Sequence, residues 1–392
     1  MKQSTKFYLT SFLKNQTYFT PILILFLQLN HLNFQEIFWI FTIGSIFSLI
    51  IEIPTGIFAD LYGKRKSIII SKFGIFVSYI LFGLSNNFWM FLLSQVVFEL
   101  GNSFRTGTET AYAFDYLKQN AKTNPSYTEV KGKQKFWARV SESLAALFGG
   151  FLAKLFGFNW VFLIAAIPAF LNFLLAISWE EIKERKSKKI KIKESWLHAK
   201  KSMQELTKTA NLFKITMNIM LFAAVIAALQ KFIQPYMVNA NLPIELFGII
   251  YSIALGITAI VVRYSHIIEK KFGTINTINT MTFLGIIPLI ILGLGHVSLI
   301  GVGLFFFVII IENIRSPIAN NEFHNLVKSK QRATLGSIME LFKSMGKIII
   351  LPIMGYFADA FSIYTAIMIL AFILIISSVF FYIKKQSVTM HI

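Results

Sequence analysis

The chain repeats itself along its length. The apolar stretch Glu36–Gly63 is matched about 210 residues later by Glu245–Gly273, and Arg105 is matched by Arg315 at the same spacing. Both copies of the stretch are long enough to cross a bilayer. A duplicated membrane chain with both halves in the same orientation predicts two similar helical bundles around a shared central site, an arrangement typical of transport proteins.

Twelve apolar segments are long enough to cross a membrane, since a helical span needs about 20 residues. The chain is 55% hydrophobic, which is more apolar surface than a water-soluble domain could bury. Helices are expected, because lipid offers no partners for backbone polar groups. The predicted spans are Thr10–His31, Glu36–Ala59, Ser67–Leu84, Phe88–Asp115, Phe136–Phe156, Trp160–Trp179, Leu212–Val238, Leu246–Ile268, Ile275–Leu294, Val297–Ile318, Leu335–Ala358 and Ser362–Ile383.

The positive charges fall in alternate loops. A net charge of +19 is compatible with nucleic-acid binding, but this distribution argues against it and follows the positive-inside rule. We therefore predict a multi-pass protein of the cytoplasmic membrane, with both termini in the cytoplasm and the lipid bilayer as its surroundings. The predicted domains are a six-helix bundle over 1–182, a basic cytoplasmic linker over 183–210 and a second six-helix bundle over 211–392.

Several chemistries have no support in the sequence. Cysteine is absent, so disulfides and thiolate chemistry are excluded, and the six histidines lack metal-ligand spacing. There is no phosphate-binding loop for ATP and no acid–base–nucleophile set. We expect no metal, no cofactor and no enzymatic activity. The energy for transport would come from an ion gradient or from the gradient of the transported compound.

The loop between the second and third spans carries the most specific motif. Residues 56–66 read Gly-Ile-Phe-Ala-Asp-Leu-Tyr-Gly-Lys-Arg-Lys. This loop resembles the signature loop of the major facilitator superfamily, with Leu61 in place of a common arginine. The resemblance covers essentially the whole chain. It implies twelve helices in two pseudo-symmetric six-helix bundles, and transport by alternating access.

The residue types of this loop suggest individual roles. Gly63 permits a tight backbone turn, and Gly56 allows a neighbouring helix to approach closely. By the resemblance, Asp60 faces the start of the eleventh span, whose free N–H groups attract an anion. We expect Lys64 to pair with Asp115.

These contacts would latch the two halves together during transport, with Arg65 in the same basic run. A simple positive-inside turn would explain the lysines but not the Gly-Asp-Gly pattern. In the second copy of the loop, Lys270 occupies the position of Asp60. We therefore expect a structural role for the second copy and a gating role for the first.

Ionisable residues inside spans are costly in lipid and should face protein or water. Glu99 lies about 16 Å along its helix from Phe88, near the middle of a membrane about 30 Å thick, and nothing local explains it. The candidates for proton coupling or substrate binding are Glu99, Arg105, Glu109, Glu312, Arg315, Glu340 and Lys343. The alternative for all of them is structural pairing between helices, and Lys343 could instead attract an anionic substrate.

The sequence as a whole predicts a secondary active transporter that acts as a single chain. Around Arg105–Glu109 it resembles a bacterial efflux-type subgroup of the superfamily, which favours proton-coupled export of a small amphipathic or anionic compound. The run Leu147–Phe151 has paired glycines but lacks the proline that drug–proton antiporters often carry. Proton-coupled uptake of a small metabolite, or a non-transporting membrane sensor or scaffold, are the alternatives.

Overall fold

A computed structural model describes residues 1–120, 125–182, 210–295, 297–327 and 332–383. Apart from residue 210, the predicted linker lies outside the described residues. All regular structure in the described ranges is helical. The helices are α1 Gln3–Lys14, α2 Leu23–Leu29, α3 Phe34–Tyr62, α4 Lys64–Leu84, α5 Phe88–Arg105, α6 Thr108–Gln119, α7 Tyr127–Phe156, α8 Phe158–Ile177, α9 Ala210–Asn239, α10 Ile244–Arg263, α11 Ser265–Phe272, α12 Thr274–Leu284, α13 Ile286–Gly293, α14 Leu299–Leu326, α15 Arg332–Ala360 and α16 Ile363–Phe380.

Each of the twelve predicted spans corresponds to one helix or to two consecutive helices, so the all-α membrane fold is confirmed. In the part of the chain that the structure describes, nine helical segments are long and apolar enough to cross a membrane. The first, fourth and fifth predicted spans are not among them. The first and fourth spans are each divided between two shorter helices. The fifth span belongs to α7, whose first half is rich in charged residues.

Local sequence explains where α3 begins and ends. Asn33 Oδ1 accepts from the Glu36 amide at 2.8 Å, and Glu36 Oε2 accepts from the Asn33 amide at 3.0 Å. This reciprocal cap satisfies two N–H groups at the start of the helix. At the other end Gly63 has φ 99°, a conformation that glycine adopts without steric cost, and α4 starts at the next residue.

Four predicted spans are not continuous helices, contrary to the prediction from the sequence. The first divides into α1 and α2, separated by residues 15–22. This segment is mostly polar and contains Pro21, which has no N–H to continue a helix. The fourth divides into α5 and α6 at Thr106 and Gly107, where Gly107 has φ 75°. The eighth divides into α10 and α11 at Tyr264, and the ninth divides into α12 and α13 at Gly285.

The chain forms two compact units, the first comprising Met1–Lys188 with Met237–Gly256 and the second comprising Lys189–Tyr236 with Ile257–Ile392. The sequence-based domain boundaries stay a prediction. They differ from these units at Met237–Gly256, which packs with the first unit although it follows the predicted linker.

A close crossing of α7 and α10 fixes that segment within the first unit. A Cβ atom added at Gly150 would lie 2.3 Å from the Ile244 carbonyl oxygen, and one added at Gly248 would lie 2.3 Å from the Ala146 carbonyl oxygen. The Ser143 and Ser252 hydroxyl oxygens are 2.7 Å apart, sharing a hydrogen bond. Small residues allow two membrane helices to approach this closely.

The second unit has an apolar core that joins α9, α12, α14 and α15. The fully buried residues at its centre include Ile215, Ile278, Ala319 and Phe323. Close packing around this core leaves little freedom to the polar side chains beside it.

Candidate functional site

The signature loop holds three helix ends together in the first unit. Lys64 Nζ lies 2.7 Å from Asp115 Oδ2, and this is the pair expected from the sequence. Arg65 Nη1 lies 3.0 Å from Glu181 Oε1, and Arg65 Nη2 donates to the Ile177 carbonyl at 2.5 Å. The start of α4 is therefore bonded to α6 and to the C-terminal end of α8.

Two other loop residues are placed differently from one another. Among the described residues, no atom lies within 4 Å of a Cβ added at Gly56, so close helix contact does not account for this glycine. Asp60 is exposed at the end of α3. Its expected partner, the start of the eleventh span at Arg332–Leu335, belongs to the second unit, and that contact stays a prediction.

Glu99 has a local hydrogen-bond partner, which corrects the expectation that nothing local explains it. Gln95 Nε2, one helical turn earlier in α5, donates to Glu99 Oε1 at 2.9 Å. Both side chains pack against α3 at Gly44, where an added Cβ would lie 2.9 Å from Gln95 Cγ and 3.4 Å from Glu99 Cγ. A neutral amide is a suitable partner for a carboxyl group in either charge state, because it can donate or accept.

Arg105 and Glu109 lie on either side of the break at Thr106 and Gly107, so their ion pair joins the end of α5 to α6. Arg105 Nη1 is 4.0 Å from Glu109 Oε2. The nearer partner of Glu109 is Lys72 on α4, whose Nζ lies 3.1 Å from the same oxygen. The Lys72 side chain is only 1% exposed, so the cluster is an interior one.

Arg315 is a buried charge with partners on several helices of the second unit. It is 0% exposed, and its Nη1 lies 2.9 Å from Glu312 Oε2, one helical turn earlier. Its Nε donates to Thr282 Oγ1 at 3.0 Å, and Nη2 donates to both oxygens of Asn218. The guanidinium carbon lies 4.3 Å from the ring centre of Phe222, a cation–π contact.

The remaining candidates lie on α15. Lys343 Nζ is 2.8 Å from Glu340 Oε1, one turn apart on the helix. The Lys343 side chain is 16% exposed, whereas that of Glu340 is 65% exposed. Glu340 thus lies at the surface of the second unit, and Lys343 is the more enclosed of the two.

Three residues of these clusters were not predicted from the sequence: Lys72, Thr282 and Asn218. The signal for Lys72 was present, since a lysine within an apolar span is as costly in lipid as the glutamates that were singled out. Thr282 and Asn218 carried no such signal. They are uncharged, and only the fold brings them to Arg315.

The comparisons with known proteins agree with this architecture. Residues 8–321 match the family model of the Major Facilitator Superfamily. An uncharacterized MFS-type transporter of Bacillus subtilis (strain 168), YxaM, is 21% identical over 376 residues, covering 91% of this chain and 89% of that protein.

Solved structures show the same fold. A variant of the nucleoside transporter NupG superposes with a TM-score of 0.82 at 14% identity, covering 97% of this chain and 99% of that one. A bacterial homologue of the human lysosomal transporter Spinster superposes with a TM-score of 0.75 at 16% identity, covering 97% and 95%.

The match to this family and the membrane helices show a multi-pass membrane transporter rather than an enzyme. The chain belongs to the Major Facilitator Superfamily. Members of this class bind small molecules and work as single-chain units.

Proposed function

We propose that this chain is a secondary active transporter that exports a small amphipathic or anionic compound in exchange for protons, by alternating access. It would act as a monomer in the cytoplasmic membrane, with both termini in the cytoplasm. The alternate basic loops support this orientation. Its other proposed partners are protons and the lipid bilayer.

The half-buried carboxyl group of Glu99 carries the proposal of proton coupling. A carboxyl group in a membrane interior gains a proton when it is dehydrated and loses it when water reaches it. The hydrogen bond from Gln95 at 2.9 Å leaves Glu99 with a neutral partner in both states, because the amide can also turn to accept from the protonated acid.

The paired charges are proposed to have supporting roles in the same cycle. Arg105 and Glu109 in the first unit, and Glu312 and Arg315 in the second, would hold the cavity helices and bias substrate charge. Lys343, with Glu340 beside it, would add positive charge attractive to an anion. Ionisable groups are costly inside a membrane, and their presence within spans favours a functional role.

The signature loop is proposed to act as a latch. Gly63 turns the chain, and Lys64 and Arg65 tie α4 to the rest of the first unit. Asp60, exposed at the end of α3, would then engage the second half in one state of the cycle and release it in the other.

The test is a transport screen in inside-out membrane vesicles containing the full chain, with a pH gradient imposed and candidate compounds supplied outside. Export coupled to protons predicts uptake into the vesicles that stops when the gradient is collapsed. Uptake only in right-side-out vesicles would reverse the proposed direction. Absence of flux for every compound would favour a sensor or scaffold.

A further inference from the structure

The matched arginines of the two halves have different surroundings. In the second unit, Arg315 donates through Nε to Thr282 Oγ1 at 3.0 Å and is neutralised by Glu312 at 2.9 Å. In the first unit, Arg105 donates to Asn102 Oδ1. Its Nε is buried and has no hydrogen-bond partner in the described ranges.

Substitutions at matched positions explain this difference. Lys72 and Thr282 each lie nine residues after the glycine that ends the preceding loop, and Asn102 and Glu312 each lie three residues before their arginine. The first copy therefore has a cation in place of a hydroxyl acceptor, and a neutral amide in place of a carboxylate. Glu109, 3.1 Å from Lys72, supplies one negative charge, which leaves an excess of positive charge.

A cavity of about 180 Å³ lies beside this cluster, inside the first unit. Lys14 lines this cavity, and its ammonium group has no hydrogen-bond or ion-pair partner among the residues that the structure describes. Asn172 is 3% exposed, and its Oδ1 is a buried acceptor without a donor in the same ranges. The polar residues that line the cavity are Lys14, Asn15, Thr17, Lys72, Tyr79, Arg105 and Asn172.

The lining selects a ligand by charge and by hydrogen bonding. Three cations against one carboxylate favour an anion, because uncompensated positive charge is costly in a low-dielectric interior. Oxyanions suit lysine and arginine donors, which form short charge-assisted hydrogen bonds. The unfilled acceptor of Asn172 favours a ligand that also carries an O–H donor. The volume exceeds the roughly 10–15 Å³ that one water occupies, so a small organic molecule fits.

We propose that the first unit contains a binding site for a small oxyanion that carries a hydroxyl group, such as a hydroxycarboxylate or hydrogen phosphate. Lys14, Lys72 and Arg105 bind its charged oxygens, and its hydroxyl donates to Asn172. The site shares Arg105 with the proposed transport function but does not require that the anion be transported.

Calorimetric titration of the purified full-length chain in detergent tests the site. We expect saturable binding of lactate or of hydrogen phosphate, and weaker binding of acetate, which at neutral pH lacks the O–H donor. Comparison of lactate with phosphate distinguishes a carboxylate from a phosphate ligand. The Lys14→Met variant should weaken binding about tenfold or more, because a hydrogen bond to a charged group is lost. The matched control Lys135→Met removes one exposed charge from the same unit and should bind as the wild type does.

Asn172→Asp provides a second variant, since a carboxylate in the cavity should abolish anion binding. The proposal is overturned if the wild type binds neither lactate nor phosphate, if Lys14→Met and Lys135→Met bind equally, or if acetate binds as tightly as lactate. Anion binding is measured without a membrane gradient, so it is independent of transport. If the vesicles show flux but the purified chain binds no anion, only the proposed anion site is contradicted. Anion binding without flux contradicts the transport proposal alone.

Discussion

The ammonium nitrogen of Lys72 lies 3.1 Å from Glu109 Oε2, and the two side chains are 1% and 13% exposed. They come from different helices, α4 and α6, and are 37 positions apart in the sequence. This ion pair anchors α6 to α4 just beyond the break that ends α5.

The first prediction concerns the stability that this pair confers. Glu109→Gln should lower the free energy of unfolding by about 3–5 kcal/mol, because it leaves Lys72 buried without its counter-charge. Lys72→Met combined with Glu109→Gln should recover most of the loss, since neither charge then remains. The measurement is the thermal unfolding midpoint of each purified variant in detergent. Strictly additive losses in the double variant would rule out the pairing.

The second prediction concerns Glu99. Glu99→Gln keeps the shape of the side chain and its contact with Gln95, but it cannot exchange a proton. We expect proton-coupled flux in liposomes to fall to background while the unfolding midpoint stays near that of the wild type. Glu129→Gln, an exposed glutamate on α7 that pairs with Lys133 at 2.8 Å, serves as the control and should transport normally. Coupling that survives Glu99→Gln would remove Glu99 from the mechanism.

The third prediction concerns the latch. Asp60→Asn should slow turnover several-fold without preventing substrate binding, because it removes the charge attracted to a helix N-terminus. Lys270→Gln changes the aligned, exposed position of the second loop and should have little effect. Initial transport rates and equilibrium binding separate the two effects. A wild-type rate in Asp60→Asn would show that the loop does not gate transport.

The fourth prediction concerns the crossing of α7 and α10. Gly150→Ala should destabilise the first unit by about 1–3 kcal/mol, because its Cβ would lie 2.3 Å from the Ile244 carbonyl oxygen. Gly132→Ala, on the same helix, meets no atom within 4 Å in the described structure and should be neutral or slightly stabilising. Chemical or thermal unfolding of both variants distinguishes them. Equal stability would contradict the close approach.

Contacts that depend on helix geometry alone follow from the local spacing of residues in the sequence. Glu312 with Arg315, and Glu340 with Lys343, are one turn apart on continuous helices, and both pairs form. The turn at Gly63 followed from the residue types around it. Hydropathy identified the twelve segments, because each must be apolar over a length that crosses the same thickness of membrane.

Long-range packing decided what the sequence could not. Gly107 breaks the fourth span because its backbone adopts φ 75°, and a glycine in a sequence does not by itself reveal that conformation. The partnership of Arg315 with Asn218 spans 97 positions and arises only when α9 and α14 pack together. At Gly56 the sequence predicted a close approach of a neighbouring helix, but among the described residues the structure has open space at this position.

Transport by alternating access requires the crossing of α7 and α10 to open. Met237–Gly256 belongs to the second half of the sequence but packs with the first unit, so the proposed cycle must open this contact. The Ser143 and Ser252 hydroxyl oxygens are 2.7 Å apart, and the native chain has no cysteine to interfere with cross-linking.

The decisive measurement is transport by the variant Ser143→Cys combined with Ser252→Cys, using a compound identified in the vesicle screen. Each single-cysteine variant is the control and should transport under both redox conditions. If the contact must open during the cycle, oxidising the double variant stops flux and a reductant restores it. Undiminished flux through a fully cross-linked double variant would contradict this requirement.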